Sequence, residues 1–136
     1  MYAVEIDIDG GVTYQGRDYV MTQGRATGEL TDDRLRSLRG AVLRSRQVRM
    51  PQEECACGCV TDVTYVKLTT WDKGVARTVH YDEGCEQVPP AIQALEREID
   101  RVVDIERWIG TREARETCFV QHRDCESLVG IPEPTP

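Results

Sequence analysis

The chain predicts an α+β domain. An antiparallel sheet comes from two β-hairpin or meander units (residues 2–30 and 62–81), two helices (32–48 and 90–109) pack on one face, and disulfides tether a C-terminal tail. Three observations lead there. Residues 2–30 and 62–81 alternate apolar and polar side chains with a period of two, the pattern of half-buried strands. Residues 32–48 and 90–109 space their apolar residues by three and four, the pattern of helices with one buried stripe. Six cysteines in 136 residues point to staples or to a metal or redox centre. Elements with one apolar face each must cover one another, and helices laid on one side of an antiparallel sheet achieve this.

The elements follow in order. "YAVEIDID" puts Tyr2, Val4, Ile6 and Ile8 on one face and Ala3, Glu5, Asp7 and Asp9 on the other. "DGG" at 9–11 supplies the positive-φ positions of a tight turn. Val12 and Tyr14 resume the alternation, Gly16 breaks it, "RDYVMT" continues extended, and "RATGEL" adds a short strand. Thr31 is a helix N-cap, and Asp32 and Asp33 set negative charge at the positive end of the helix dipole. Leu35, Leu38, Val42 and Leu43 form the stripe of this helix, which ends before Pro51. "DVTYVKLTTW" and "VARTVHY" flank the turn "DKG" as a second hairpin, with Val75, Arg77, Val79 and Tyr81 on one face and Ala76, Thr78 and His80 on the other. Pro89 or Pro90 opens the second helix, where a missing N–H is harmless. Ile92, Leu95, Ile99, Val102, Val103, Ile105 and Ile109 make its stripe, Trp108 lies near its end, and Gly110 terminates it.

The length suits one domain over residues 1–110, with an extension, 111–136, packed on it and flexible at its last residues. A net charge of −7 repels phosphate backbones, so no nucleic-acid partner is expected. No apolar run approaches the ~20 residues of a transmembrane helix. The start at "MYAVEID", already in a strand pattern, suits a chain whose leader has been removed as well as a native start. Lysine is confined to Lys67 and Lys73 against fifteen arginines, many of them in "RLRSLRGAVLRSRQVR" at 34–49. That run suits either an anion- or partner-binding face or, the reading preferred here, the solvated face of a helix.

Together, the hairpin "DGGVTYQG" (Asp9, Gly10 or Gly11, Val12, Tyr14, Gly16), the "TD" at Thr61–Asp62 and the terminal Trp108 of "IDRVVDIERWIG" resemble a bacterial family known as domain of unknown function 6438. The resemblance covers about residues 2–110. It implies an extracytoplasmic protein, often one following a lipoprotein-type leader, and it implies no activity. The cysteine triplet and the tail 111–136 stand outside the pattern.

The cysteines fall into a cluster, Cys55, Cys57 and Cys59, and three outliers, Cys85, Cys118 and Cys125. Along an extended strand the cluster thiols would stand on one side, about 6–7 Å apart. Zinc sites space paired cysteines by two to four residues. A zinc or copper site at Cys55, Cys57, Cys59 and Cys85 is therefore the alternative rather than the leading reading, and no cofactor is expected. A C-x-C disulfide is strained. Without it each cluster cysteine pairs with an outlier, and the tail is stapled across the domain. A bond inside the cluster with Cys118 joined to Cys125 is the redox variant.

No catalytic constellation stands out. His80 lies mid-strand and His122 lies between two cysteines, neither with a named partner. No phosphate-loop, dinucleotide or metalloprotease motif occurs. The expectation is a disulfide-stabilised, non-enzymatic binding module that is periplasmic, outer-surface or secreted. It takes an unknown protein or small-molecule partner on the open sheet face, with Tyr65 or Trp71 and Arg77 on that surface.

Overall fold

The computed structural model describes residues 1–17, 19–50, 65–82 and 87–117, and the backbone of 54–55. The elements are β1 (Tyr2–Ile6), β2 (Gly11–Gly16), β3 (Gly24–Glu29), α1 (Asp32–Arg46), β4 (Glu54–Cys55), β5 (Tyr65–Asp72), β6 (Val75–Asp82), α2 (Pro90–Val103), α3 (Glu106–Ile109) and α4 (Arg112–Arg115). The α+β class and the antiparallel hairpins are as the patterning predicts. The single sheet is not. β1-β2-β3 form one three-stranded sheet and β4-β6-β5 another, with β4 parallel to β6. The edge of β6 is taken at His80 and Tyr81 by β4. The chain divides into two compact units, Met1–Leu35 with the residues from Asp100 on, and Arg36–Ile99.

In the first unit, the turn between β1 and β2 is tied by Asp7. Its carboxylate accepts the backbone N–H groups of Asp9 and Gly11, both at 2.9 Å, while Gly10 sits at φ 92°. β1 therefore ends at Ile6 and Ile8 is exposed, outside the predicted apolar face. Val12, Tyr14 and Ala26 of this sheet are buried, as are Val102, Val103, Ile105 and Trp108. Tyr14 is fully enclosed. Its hydroxyl donates to the Thr22 carbonyl at 2.9 Å, and its ring stacks on Trp108 with centroids 5.0 Å apart. Thr22 is tied in turn by its N–H to the Trp108 carbonyl at 2.7 Å.

The predicted helix 90–109 is broken. Asp104 adopts φ 53°, its N–H bonds the Arg101 carbonyl at 3.2 Å, and the Ile105 N–H bonds the Asp100 carbonyl at 3.0 Å. This pair of bonds is the left-handed C-cap usually built on glycine, here made by an aspartate, which tolerates that conformation. The chain then restarts as α3 and stops at Gly110, at φ 81°, the predicted terminator.

In the second unit, Met50, Val79, Tyr81, Val88 and Ile92 form the core, flanked by Val48, Val66 and Leu68. α1, capped by Thr31 through the Arg34 N–H, buries Leu38, Ala41 and Ser45. Leu43, expected on the stripe, is half-exposed, because it lies one residue (about 100°) round from Val42. Lys73 and Gly74, at φ 50° and 78°, make the two-residue turn of the β5–β6 hairpin.

Candidate ligand-binding surfaces

The β5–β6 register sorts the hairpin into two faces. Tyr65 pairs Asp82, Lys67 pairs His80, Thr69 pairs Thr78 and Trp71 pairs Ala76. Since side chains alternate along a strand, these eight share one face, and Val66, Leu68, Thr70, Val75, Arg77, Val79 and Tyr81 share the other. The second face holds the core residues Val79 and Tyr81, so it is the inner one.

The outer face is aromatic at its two ends and polar between. Tyr65 is 51% exposed and Trp71 63% exposed, about 20 Å apart at a strand rise of about 3.4 Å per residue. The Tyr65 hydroxyl meets His80 Nδ1, and the two rings tilt together with centroids 5.6 Å apart. Thr69 and Thr78 share a hydroxyl bond of 2.9 Å across the strands. Trp71 faces Ala76, which is too small to cover an indole, and Lys67 is exposed beside His80.

Arg77 does not belong to this surface. The expected grouping of Tyr65 or Trp71 with Arg77 fails on parity, because Arg77 pairs Thr70 on the inner face. There its guanidinium donates to the carbonyls of Ser45 at 2.8 Å and Val48 at 2.7 Å, near the end of α1. Arg46 returns the contact, donating to the Thr70 carbonyl and hydroxyl, both at 3.0 Å, and to the Val75 carbonyl at 3.0 Å. This reciprocal clamp joins the helix end to the hairpin. The sequence reading of the 34–49 run as a solvated face misses it. The available signal was Arg77 itself, a cation on the face that alternation assigns to the core.

The first unit uses its polar groups for packing. The Arg107 guanidinium lies 3.8 Å over the Trp108 ring and beside Gly28, where a Cβ would meet its Nη2 at 2.6 Å. Burial lowers the Arg107 pKa from the usual guanidinium value; Asp104 opposes that shift and Arg34 adds to it. Arg34 donates to the Val102 carbonyl at 2.9 Å, near the end of α2.

Of the cysteines, Cys55 is placed by its backbone, in β4 opposite Tyr81. Cys57, Cys59, Cys85, Cys118 and Cys125 lie outside the described residues, as do His122 and the pair Thr61–Asp62. The disulfide and thiolate-metal expectations therefore fall outside them too. Among the described residues no group of three or more His, Cys, Asp or Glu side chains is placed to hold a metal ion. None of the helices there is long and apolar enough to cross a membrane.

Fold and surfaces together define a small α+β domain with an exposed aromatic and polar hairpin face. A family model described as "Domain of unknown function (DUF6438)" matches residues 1–103, and the chain belongs to that family. No curated protein and no solved structure matches it. The resembling motif now has a physical reading. Gly10 makes the turn and Val12 and Tyr14 fill the core. A Cβ on Gly16 would collide with the Thr22 carbonyl and the Tyr14 ring and hydroxyl. These hairpin residues of the motif shape the turn and the core.

Proposed function

We propose that this chain is a non-enzymatic recognition module of an extracytoplasmic protein, binding its partner on the outer face of β5–β6. The observation that carries the reading is the pair Tyr65 and Trp71, both more than half exposed on one strand face, with hydroxyl, imidazole and ammonium groups between them. Exposed aromatic rings held on a rigid strand offer contact area at low entropic cost, and Trp and Tyr dominate binding energy where they are present. The cysteine content supports an oxidising compartment, where three disulfides would brace a small loop-bearing domain.

The test is a printed panel of cell-envelope polysaccharides and synthetic peptides probed with the purified chain and with Trp71→Ser. Retention of one class of probe, weakened roughly tenfold or more by Trp71→Ser, is the expected result. Equal retention by both proteins, or none by the wild type, would overturn the proposal.

A further inference from the structure

We propose a second binding site, for an organic anion, in a cleft of about 420 Å³ at the end of α1 in the second unit. It is lined by Arg46, Arg49 and Arg77 together with Val48, Met50 and Val79. No Asp or Glu lines it among the described residues. Three cations thus surround one concavity of a chain whose net charge is −7. The whole-chain charge repels anions at long range, so attraction has to come from these three side chains at short range.

Among the described residues no carboxylate pairs with Arg46 or Arg77, whose guanidinium groups donate to carbonyls and one hydroxyl, dipoles that carry no net charge. Those bonds fix both side chains before any ligand arrives, so binding does not have to order them. Arg49 is exposed and makes no ion pair among the described residues. A cleft lined by one sign of charge, with low-dielectric walls, focuses its field on its contents. Guanidinium groups match the planar geometry of carboxylate and the oxygens of phosphate. Val48, with the small exposed parts of Met50 and Val79, supplies a narrow apolar wall. The ligand this selects has a carboxylate or phosphate head and a compact apolar body, and the volume lies within the usual range for small-molecule sites of about 300–1,000 Å³.

Titration of the whole chain with octanoate and with octyl phosphate, followed by calorimetry, tests the site and identifies the head group. Binding of at least one of them is expected, weakening as ionic strength rises from about 0.05 M to about 0.5 M. Arg49→Gln should weaken it about tenfold with the melting temperature unchanged. Arg49→Lys, which keeps the charge, should retain most of the binding, an outcome that loss of folding does not produce. Binding of octanol as tight as octanoate, binding of inorganic phosphate as tight as octyl phosphate, no effect of Arg49→Gln, or no binding of either octyl anion would each overturn the proposal. The outer-face proposal stands or falls separately, since Trp71→Ser leaves this cleft intact.

Discussion

Gly16 and Tyr14 form a coupled pair whose energetics follow from their contact. Replacing Tyr14 by Phe removes the hydroxyl that donates to the Thr22 carbonyl at 2.9 Å and leaves that buried acceptor unpaired, a cost of about 1–3 kcal/mol. Replacing Gly16 by Ala drives a Cβ into two obstacles, the Thr22 carbonyl and the Tyr14 hydroxyl end. The carbonyl cannot retreat cheaply, because the Thr22 N–H is tied to Trp108. Overpacking of this kind costs about 1–3 kcal/mol. In the double variant the hydroxyl contact is gone, while the Thr22 carbonyl and the ring carbon Cζ, 2.9 Å from the new Cβ, remain. Its destabilisation should therefore fall short of the sum of the single effects by about 1 kcal/mol, the scale of coupling between residues in contact. Urea unfolding followed by Trp108 fluorescence measures all four proteins of the cycle. A Trp71→Phe background removes the signal of the exposed indole, leaving Trp108, which is 3% exposed and stacked on Tyr14. Strict additivity, or a Gly16→Ala variant as stable as the parent, would refute the packing argument.

The same tyrosine predicts an alkaline limit. Burial pushes the Tyr14 pKa from 10.0 up to about 12. The unfolded chain therefore releases this proton first, and the stability contribution is full below about pH 10 and lost as pH rises toward about 12. Melting curves across that window should fall less steeply for Tyr14→Phe than for the wild type; parallel curves would show that Tyr14 is not the group responsible. For the cysteines, intact mass after alkylation under denaturing, non-reducing conditions should show no label and a mass six hydrogens below the reduced chain. Six labels with bound zinc or copper would favour the thiolate site and remove the argument for an oxidising compartment.

Local pattern carried the fold further than it carried the assembly. The period-two stretches became hairpins because alternation is a property of each strand alone, and "DKG" became a tight turn because Lys73 and Gly74 can take positive φ. Which strand pairs with which beyond a hairpin is set by edges, and the two-residue β4, parallel to β6, has no periodicity to announce it. The break at Asp104 was hidden for a related reason. The apolar spacing runs through it into Ile105 and Ile109, and the residue that turns the chain is an aspartate rather than glycine. A stripe of buried side chains shows that a segment packs, and it does not require that the backbone stay helical throughout.

Arginine placement explains why the candidate surfaces were only half legible. On the outer face, parity alone puts Tyr65, Lys67, Thr69 and Trp71 together, and exposure follows because the opposite face already holds the core. Parity equally removes Arg77 from that face, and a cation assigned to the inner side of a sheet needs acceptors there. The chain supplies them as backbone carbonyls where α1 runs out, a place where helix carbonyls lack intrahelical donors. Carbonyl partners leave the charge uncompensated where a carboxylate would have cancelled it. In the proposed anion site the clamp that joins the helix to the hairpin thereby also supplies two of the three cations. An Arg77→Met variant should accordingly lose both at once, whereas Arg49→Gln separates them, because Arg49 lines the cleft and takes no part in the clamp.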